Sequence, residues 1–343
     1  MKVGLLTGGG DCPGLNAVIR AVVQHLQDAG HQCIGILEGW RGLVQNMTCP
    51  LSTTITDGII GQGGSILGSS RTNPYRNPDT DLAALRANLQ RNELDALVVI
   101  GGDDTLGVAL RLKNDFDLSI VGVPKTIDND LMVTDFSFGF DTAVNIVTEA
   151  VDRLRTTTES HRRIVVVETM GRHSGWIACF AGMAVGADYI LVPEVPIDMQ
   201  HLISVLARRR ANGKKYGIVV VAEGARFPDR GPHILDDSTD PFGLPRLGGI
   251  GTVIADEIEK QTGLETRNVV LGHLQRGGPP SAYDRILATR LGLAASRLVL
   301  LGRFGTIATL MNGRVVDVPL NEAISATRTL DLSYYDEAAA FFR

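Results

Sequence analysis

Apolar runs of four or so residues recur along the chain, each ended by glycine or a polar turn and most followed by a stretch of helical period. Val3 to Leu6, Leu97 to Ile100, Ile120 to Val123, Ile164 to Val167, Ile218 to Val221 and Val269 to Leu271 are such runs. Uninterrupted runs are the mark of strands buried on both faces, as in parallel sheets covered by crossover helices. The pattern therefore predicts an α/β chain whose ligands collect beyond the carboxyl ends of the strands, near the point where strand order reverses. A helical stretch from Thr142 to Leu154 follows a boundary near Phe140, and a second βαβ series begins at Arg163. The stretch from Arg226 to Gly249, rich in Pro, Asp and Gly, reads as a long loop with no strand or helix of its own, either a surface insertion or a lid. The tail after Thr327, with Tyr334, Tyr335 and Phe341, reads as a helix packed on the smaller domain.

Composition narrows the class. The 343 residues are 44% hydrophobic and 21% charged, enough to bury the cores of two domains and too apolar for disorder. The formal net charge of -5 argues against a broad nucleic-acid surface, so local basic residues are read as small-anion sites. Cys12, Cys33, Cys49 and Cys179 form no CxxC pair and no metal-ligand spacing, which points to reduced thiols. No apolar run reaches the ~18 residues that span a bilayer, and Asp11 interrupts the first one too early for a signal segment, so a cytoplasmic protein is expected.

The polar residues that follow the apolar runs carry the chemistry. Thr7-Gly8-Gly9-Gly10-Asp11-Cys12-Pro13-Gly14 lies between a strand and an amphipathic helix, where converging backbone amides and the helix dipole favour an anion. Its spacing fits neither the Walker loop nor the dinucleotide fingerprint, and a plain tight turn remains an alternative. Gly101-Gly102-Asp103-Asp104-Thr105 repeats the arrangement and adds two acids. Asp103 is a candidate Mg²⁺ ligand, because Mg²⁺ binds one or two carboxylates together with substrate phosphates; compensation of a helix dipole is the alternative. In Pro124-Lys125-Thr126-Ile127-Asp128-Asn129-Asp130 a carboxylate can take a hydroxyl proton while Lys125 and Thr126 hold phosphoryl oxygens.

With Met170-Gly171-Arg172 and Gly272-His273-Leu274-Gln275-Arg276-Gly277-Gly278 added, the chain resembles the 6-phosphofructokinases over essentially its whole length: the family's GGD, TIDND, MGR and GHxQRGG motifs occur in order. The resemblance implies two Rossmann-like doubly wound domains with the active site in the cleft between them. Residues 1–139 and 275–323 would form a larger domain for the phosphoryl donor and Mg²⁺, and residues 140–274 and 324–343 a smaller one for fructose 6-phosphate. It implies Asp128 as the base that deprotonates the sugar 1-hydroxyl, with Thr126 and Asp128 also contacting the sugar phosphate and Ile127 between them among the substrate-binding residues. Met170, Gly171 and Arg172 would bind the sugar, Arg172 also stabilising the transferring phosphoryl group. Glu223 would accept a sugar hydroxyl, and Arg267, His273, Leu274, Gln275 and Arg276 would surround the 6-phosphate. Gly10, Arg71 and Gly102 match the donor site. Arg163 and Arg267 match residues that reach a neighbouring subunit's site, implying self-association as a dimer or tetramer.

Two departures bear on the donor. ATP-using relatives carry glycine at the position of Asp104 and commonly at that of Lys125, whereas pyrophosphate-using relatives carry Asp and Lys. Asp104 would place volume and charge where the α-phosphate of ATP sits, and Lys125 would neutralise pyrophosphate and its phosphate leaving group. Unit like charges 4 Å apart repel by about 4 kcal/mol at surface-like dielectric. The expected reaction is reversible phosphoryl transfer from pyrophosphate to fructose 6-phosphate, giving fructose 1,6-bisphosphate and phosphate. The competing readings are an ATP-dependent phosphofructokinase, a NAD kinase, which lacks the MGR and GHxQRGG set, and a non-catalytic sugar-phosphate sensor, which would have lost Asp128 or Arg172.

Overall fold

The computed structural model describes residues 1–229, 231–239 and 245–342. Along the chain the strands are β1 (Lys2–Thr7), β2 (Gln32–Ile36), β3 (Thr48–Leu51), β4 (Ala96–Gly101), β5 (Ile120–Pro124), β6 (Ile164–Thr169), β7 (Tyr189–Leu191), β8 (Gly217–Ala222), β9 (Ile234–Thr239), β10 (Pro245–Leu247), β11 (Thr266–Val270), β12 (Thr306–Met311) and β13 (Arg314–Pro319). The chain divides into two compact units. The first comprises Met1–Ile127, Leu131–Asp141 and Arg276–Thr327; the second comprises Asp128–Asp130, Thr142–Gln275 and the chain from Arg328 onward.

Unit 1 is built on a seven-stranded sheet in the order β13-β12-β5-β4-β1-β2-β3. The inner strands are parallel, and β4 and β5 are buried along their whole length, as their Val- and Ile-rich runs require. The chain leaves β1 toward β2 on one side and returns to β4 on the other, so the strand order reverses between β1 and β4. Thr7 pairs with Ile100 there, and Gly101 pairs with Pro124 on β5. The turns after β1, β4 and β5 consequently leave the same edge of the sheet at the switch point. The Leu15–Asp28 helix starts after Gly14, whose φ of 109° and close contact with Phe138 leave no room for a side chain. The Asp103–Phe116 helix starts after Gly102, with both acids in its first turn.

Unit 2 contains a parallel four-stranded sheet, β11-β6-β8-β7. The turns after β6 and β8, Met170–Arg172 and Glu223–Gly224, are neighbours because Thr169 pairs with Ala222. The C-terminal Leu332–Ala339 helix lies in this unit, with Tyr334 packed on Trp176 and Phe180 and with Phe342 beyond it stacked on Tyr189. No helix among the described residues is long and apolar enough to cross a membrane.

Five of the six apolar runs lie wholly on strands that pair in parallel, and of the sixth Val269 and Val270 lie on β11 with Leu271 just beyond; the large sheet also has strands that no apolar run marks. β3 and β13 pair antiparallel at the two edges of the large sheet. Both are short or mixed in polarity because an edge strand has one protected side, so the search for continuous apolar runs passes over them. The stretch from Arg226 to Gly249 also has strands of its own, contrary to the loop reading: β9 and β10 form a two-stranded antiparallel ribbon with Ile234 opposite Leu247. Its Asp, Ser and Thr residues hide it from a hydrophobic search. Residues 230 and 240–244 of that stretch lie outside the described residues.

Candidate active site

In unit 1, the turn after β1 is laced to its neighbours through backbone. The Gly8 N–H donates to the Ile100 carbonyl and the Gly9 N–H to the Ser70 carbonyl, both at 3.0 Å, while the Ser69 hydroxyl donates to the Gly9 carbonyl at 2.5 Å. A Cβ on Gly8 would stand 2.6 Å from the Thr105 methyl and one on Gly101 only 2.4 Å from the Thr105 Cβ, so both positions require glycine. These contacts bring Gly8–Gly10, Ser69–Arg71 and Gly101–Thr105 together.

Two cations face this loop. Lys125 is buried, and its Nζ donates to the Gly10 carbonyl at 2.6 Å, while its backbone N–H holds the Gly101 carbonyl at 3.0 Å. Arg276 donates from Nη1 to the Asp11 carbonyl at 3.2 Å and would lie 2.7 Å from a Cβ on Gly10. Arg276 thus stands with the loop after β1 in unit 1, whereas Gly272–Gln275 of the same motif belong to unit 2. Burial pushes the Cys12 thiol up to about 12, against the opposing charges of Lys125 and Arg276, so the loop cysteine is an unreactive thiol. All four cysteines are free.

Asp103 is exposed and Asp104 half-buried at the N-terminus of the Asp103–Phe116 helix. No group of three or more His, Cys, Asp or Glu among the described residues could cage a metal ion. Asp103 next to an anion loop therefore fits a cation that completes its shell with phosphate oxygens and water, and does not fit an all-protein cage.

In unit 2 Met170–Arg172, Glu223 and Gln275 gather at the carboxyl edge of the sheet. The Glu223 N–H donates to the Thr169 carbonyl at 2.9 Å and the Gly224 N–H to the Gly171 carbonyl at 3.2 Å, which fixes the Arg172 turn against β8. A side chain on Gly224 would collide with the Arg172 carbonyl at 2.1 Å. Burial first, then the Asp128 carboxylate and more weakly Glu168, against the opposing charge of Arg172, together raise the Glu223 carboxyl from 4.5 to about 7. Glu223, Asp128 and Arg172 therefore share one electrostatic environment. Gln275, fully buried, donates to the Gly272 carbonyl and accepts the Met170 N–H at 3.2 Å, so it spans the GHxQRGG and MGR turns instead of facing solvent. Glu168, also buried, accepts the N–H groups of Gly249 and Gly251 at the start of the Ile250–Thr262 helix. A cavity of about 250 Å³ lies beside Arg172 and Gly224, with His173, Glu194 and Arg226 on its wall.

Two predicted residues do not join this group. Arg163 and Arg267 flank Glu265 at the opposite, amino end of β6 and β11, with Arg163 Nε 2.7 Å from Glu265. At ~3.3 Å per residue, the six steps from Arg163 to Thr169 put Arg163 roughly 20 Å from the Arg172 turn, and Arg267, level with Val165, four steps or roughly 13 Å from it. Both arginines pull the Glu265 carboxyl below its usual range. His273 is exposed on the Gly272–Arg276 turn, as is Leu274. Conversely, the structure brings in two residues that motif reading passed over. The buried Ser174 hydroxyl donates to the Asp128 carbonyl at 3.0 Å, and Glu194 accepts the Gly175 N–H. Ser174 carries a weak signal in the sequence, as the polar residue between the Arg172 turn and an apolar helix.

Both units gather polar and charged residues at the carboxyl edges of α/β sheets, where ligands of such folds bind. The model of the family described as phosphofructokinase matches residues 2–299. The pyrophosphate--fructose 6-phosphate 1-phosphotransferase of Streptomyces coelicolor is 52% identical, with both chains fully covered. ATP-dependent 6-phosphofructokinase 3 of the same organism is 47% identical over 98% of this chain and 99% of its own. Phosphofructokinase from Pichia pastoris in the T-state superposes with a TM-score of 0.83 at 33% identity; the match covers 99% of this chain and 36% of that longer one. The chain belongs to the phosphofructokinase family.

Proposed function

We propose that the chain transfers a phosphoryl group reversibly between pyrophosphate and the 1-hydroxyl of fructose 6-phosphate, in the cytoplasm. The family alone does not choose the donor, since relatives named for pyrophosphate and for ATP lie at 52% and 47% identity. The observation that carries the choice is Asp104 in the first turn of the Asp103–Phe116 helix, with the buried Lys125 amine on the Gly10 carbonyl. A third phosphate and a nucleoside at that helix start would meet the Asp104 carboxylate, whereas pyrophosphate ends before it and gains the charge of Lys125.

In this reading unit 1 holds the donor and unit 2 the sugar. Gly10, Gly102, Arg71 and Lys125 bind pyrophosphate, with Arg276 adding charge at the same loop. Mg²⁺, held by Asp103 together with phosphate oxygens, would neutralise part of the donor's charge. Asp128 takes the proton from the sugar O1, O1 bonds to the near phosphorus, and the bridging P–O bond breaks to release phosphate. Arg172 and Thr126 stabilise the equatorial oxygens, and Glu223 accepts a sugar hydroxyl. His273 receives the 6-phosphate. Arg163 and Arg267, at the amino end of β6 and β11, serve the site of a neighbouring copy in a homo-oligomer.

The test is a donor assay. Purified protein with Mg²⁺ and fructose 6-phosphate should turn over with pyrophosphate and hardly at all with ATP. Comparable rates with the two donors refute the assignment.

A further inference from the structure

The three residues that carry the proposed base, Asp128–Asp130, group with unit 2, and what holds them there is not part of any motif considered so far. Asn129 is fully buried with a φ of 52°, a left-handed conformation that a non-glycine residue keeps only where its surroundings over-determine it. Two hydrogen bonds bracket it. On one side the Ser174 hydroxyl donates to the Asp128 carbonyl at 3.0 Å; on the other the Arg328 N–H donates to the Asp130 carbonyl at 2.7 Å.

Both donors are themselves held. Ser174 is 1% exposed and precedes Gly175, whose N–H is shared between the two Glu194 oxygens at 3.0 and 3.1 Å. Glu194 also accepts the Leu330 N–H at 2.8 Å. The Arg328 guanidinium lies 4.5 Å from the centroid of the buried Trp176 ring. The strap Arg328–Leu330 and the Ser174–Gly175 turn thus meet on Glu194 and close around Asp128–Asp130.

We infer that Ser174, supported by Glu194 and the strap Arg328–Leu330, is a positioning residue that fixes the peptide carrying Asp128 and so sets where its carboxylate meets the sugar hydroxyl. Ser174 shares a turn with Arg172, so one short segment orients both the base and the phosphoryl-stabilising cation. This inference rests on the reading of Asp128 as the base. Loss of the hydroxyl frees the Asp128 carbonyl without removing a group that touches substrate. The expected effect therefore falls on turnover and spares sugar affinity.

The experiment compares Ser174→Ala, Ser174→Thr and Arg328→Pro with the wild type. kcat is normalised to the number of fructose 6-phosphate sites counted by calorimetry, which removes any inactive fraction. Ser174→Ala is expected to lose 10- to 100-fold in kcat per site with KM for fructose 6-phosphate within threefold, and Ser174→Thr to recover to within threefold of the wild type. Arg328→Pro, which deletes the N–H that Asp130 accepts, tests the other bracket and should lower kcat per site in the same way. Wild-type kcat per site in both Ser174→Ala and Arg328→Pro overturns the inference, as does a Ser174→Ala loss that lies wholly in KM. Asp128→Asn is run alongside; full activity there overturns the base assignment itself, a separate result.

Discussion

Glu223 gives the site a titration at neutral pH. Its carboxyl is raised from 4.5 to about 7, first by burial and then by the neighbouring Asp128. An acid with that value is ionised about one part in ten at pH 6 and about nine parts in ten at pH 8. If ionised Glu223 accepts a sugar hydroxyl, kcat/KM for fructose 6-phosphate should rise roughly ninefold across that range. A hydrogen bond to a charged acceptor contributes about 1.5 to 3 kcal/mol, so Glu223→Gln should lose about 10- to 100-fold at pH 8 and much less at pH 6. The sugar phosphate itself titrates near 6, but that affects both enzymes and cancels in the ratio of wild type to variant. The assay is therefore that ratio measured from pH 6 to 8 at saturating pyrophosphate. A ratio independent of pH refutes the reasoning.

Stability should move in the opposite direction. A carboxyl whose folded value is raised holds its proton more tightly when folded, so its contribution is full below about 4.5 and is lost as pH rises through about 7. The shift corresponds to about 3 kcal/mol at face value and about half that after solvent screening of a partly exposed group. Wild-type Tm should thus fall relative to Glu223→Gln between pH 5 and pH 8.

Two further substitutions test the rest of the site. Asp104→Gly should lower pyrophosphate turnover at least tenfold and admit measurable ATP turnover; unchanged donor kinetics would reduce Asp104 to a helix-dipole partner. Gly224→Ala places a methyl 2.1 Å from the Arg172 carbonyl, so that turn must shift. The expected result is a fall in kcat of about 10²-fold, as for a 1 Å misplacement, with Tm lowered; wild-type kcat would mean that the Arg172 turn has slack.

The strands that carry motifs were legible because burial on both faces demands unbroken apolar runs, as in Leu97 to Ile100 and Ile218 to Val221. β3, β13 and the β9–β10 ribbon were not, because an edge or a free ribbon imposes no such demand. The same distinction runs through the site. Asp103, Asp104, Lys125 and Glu223 each follow a strand directly, so a correct strand assignment already places them at a carboxyl edge. Arg163 precedes β6 and Arg267 is the second residue of β11, so both lie toward the amino edge of the unit 2 sheet, whatever motif they resemble. Position along the strand therefore separates residues at the carboxyl edge from those at the amino edge. Ser174 escapes this rule because its role depends on two things no local pattern records: the left-handed turn at Asn129, and a tail that returns through Arg328 after some two hundred residues. A motif states which groups the chemistry needs. The restraint on where the Asp128 carboxylate points comes from backbone carbonyls at Asp128 and Asp130, atoms that every sequence contains and that only the fold selects.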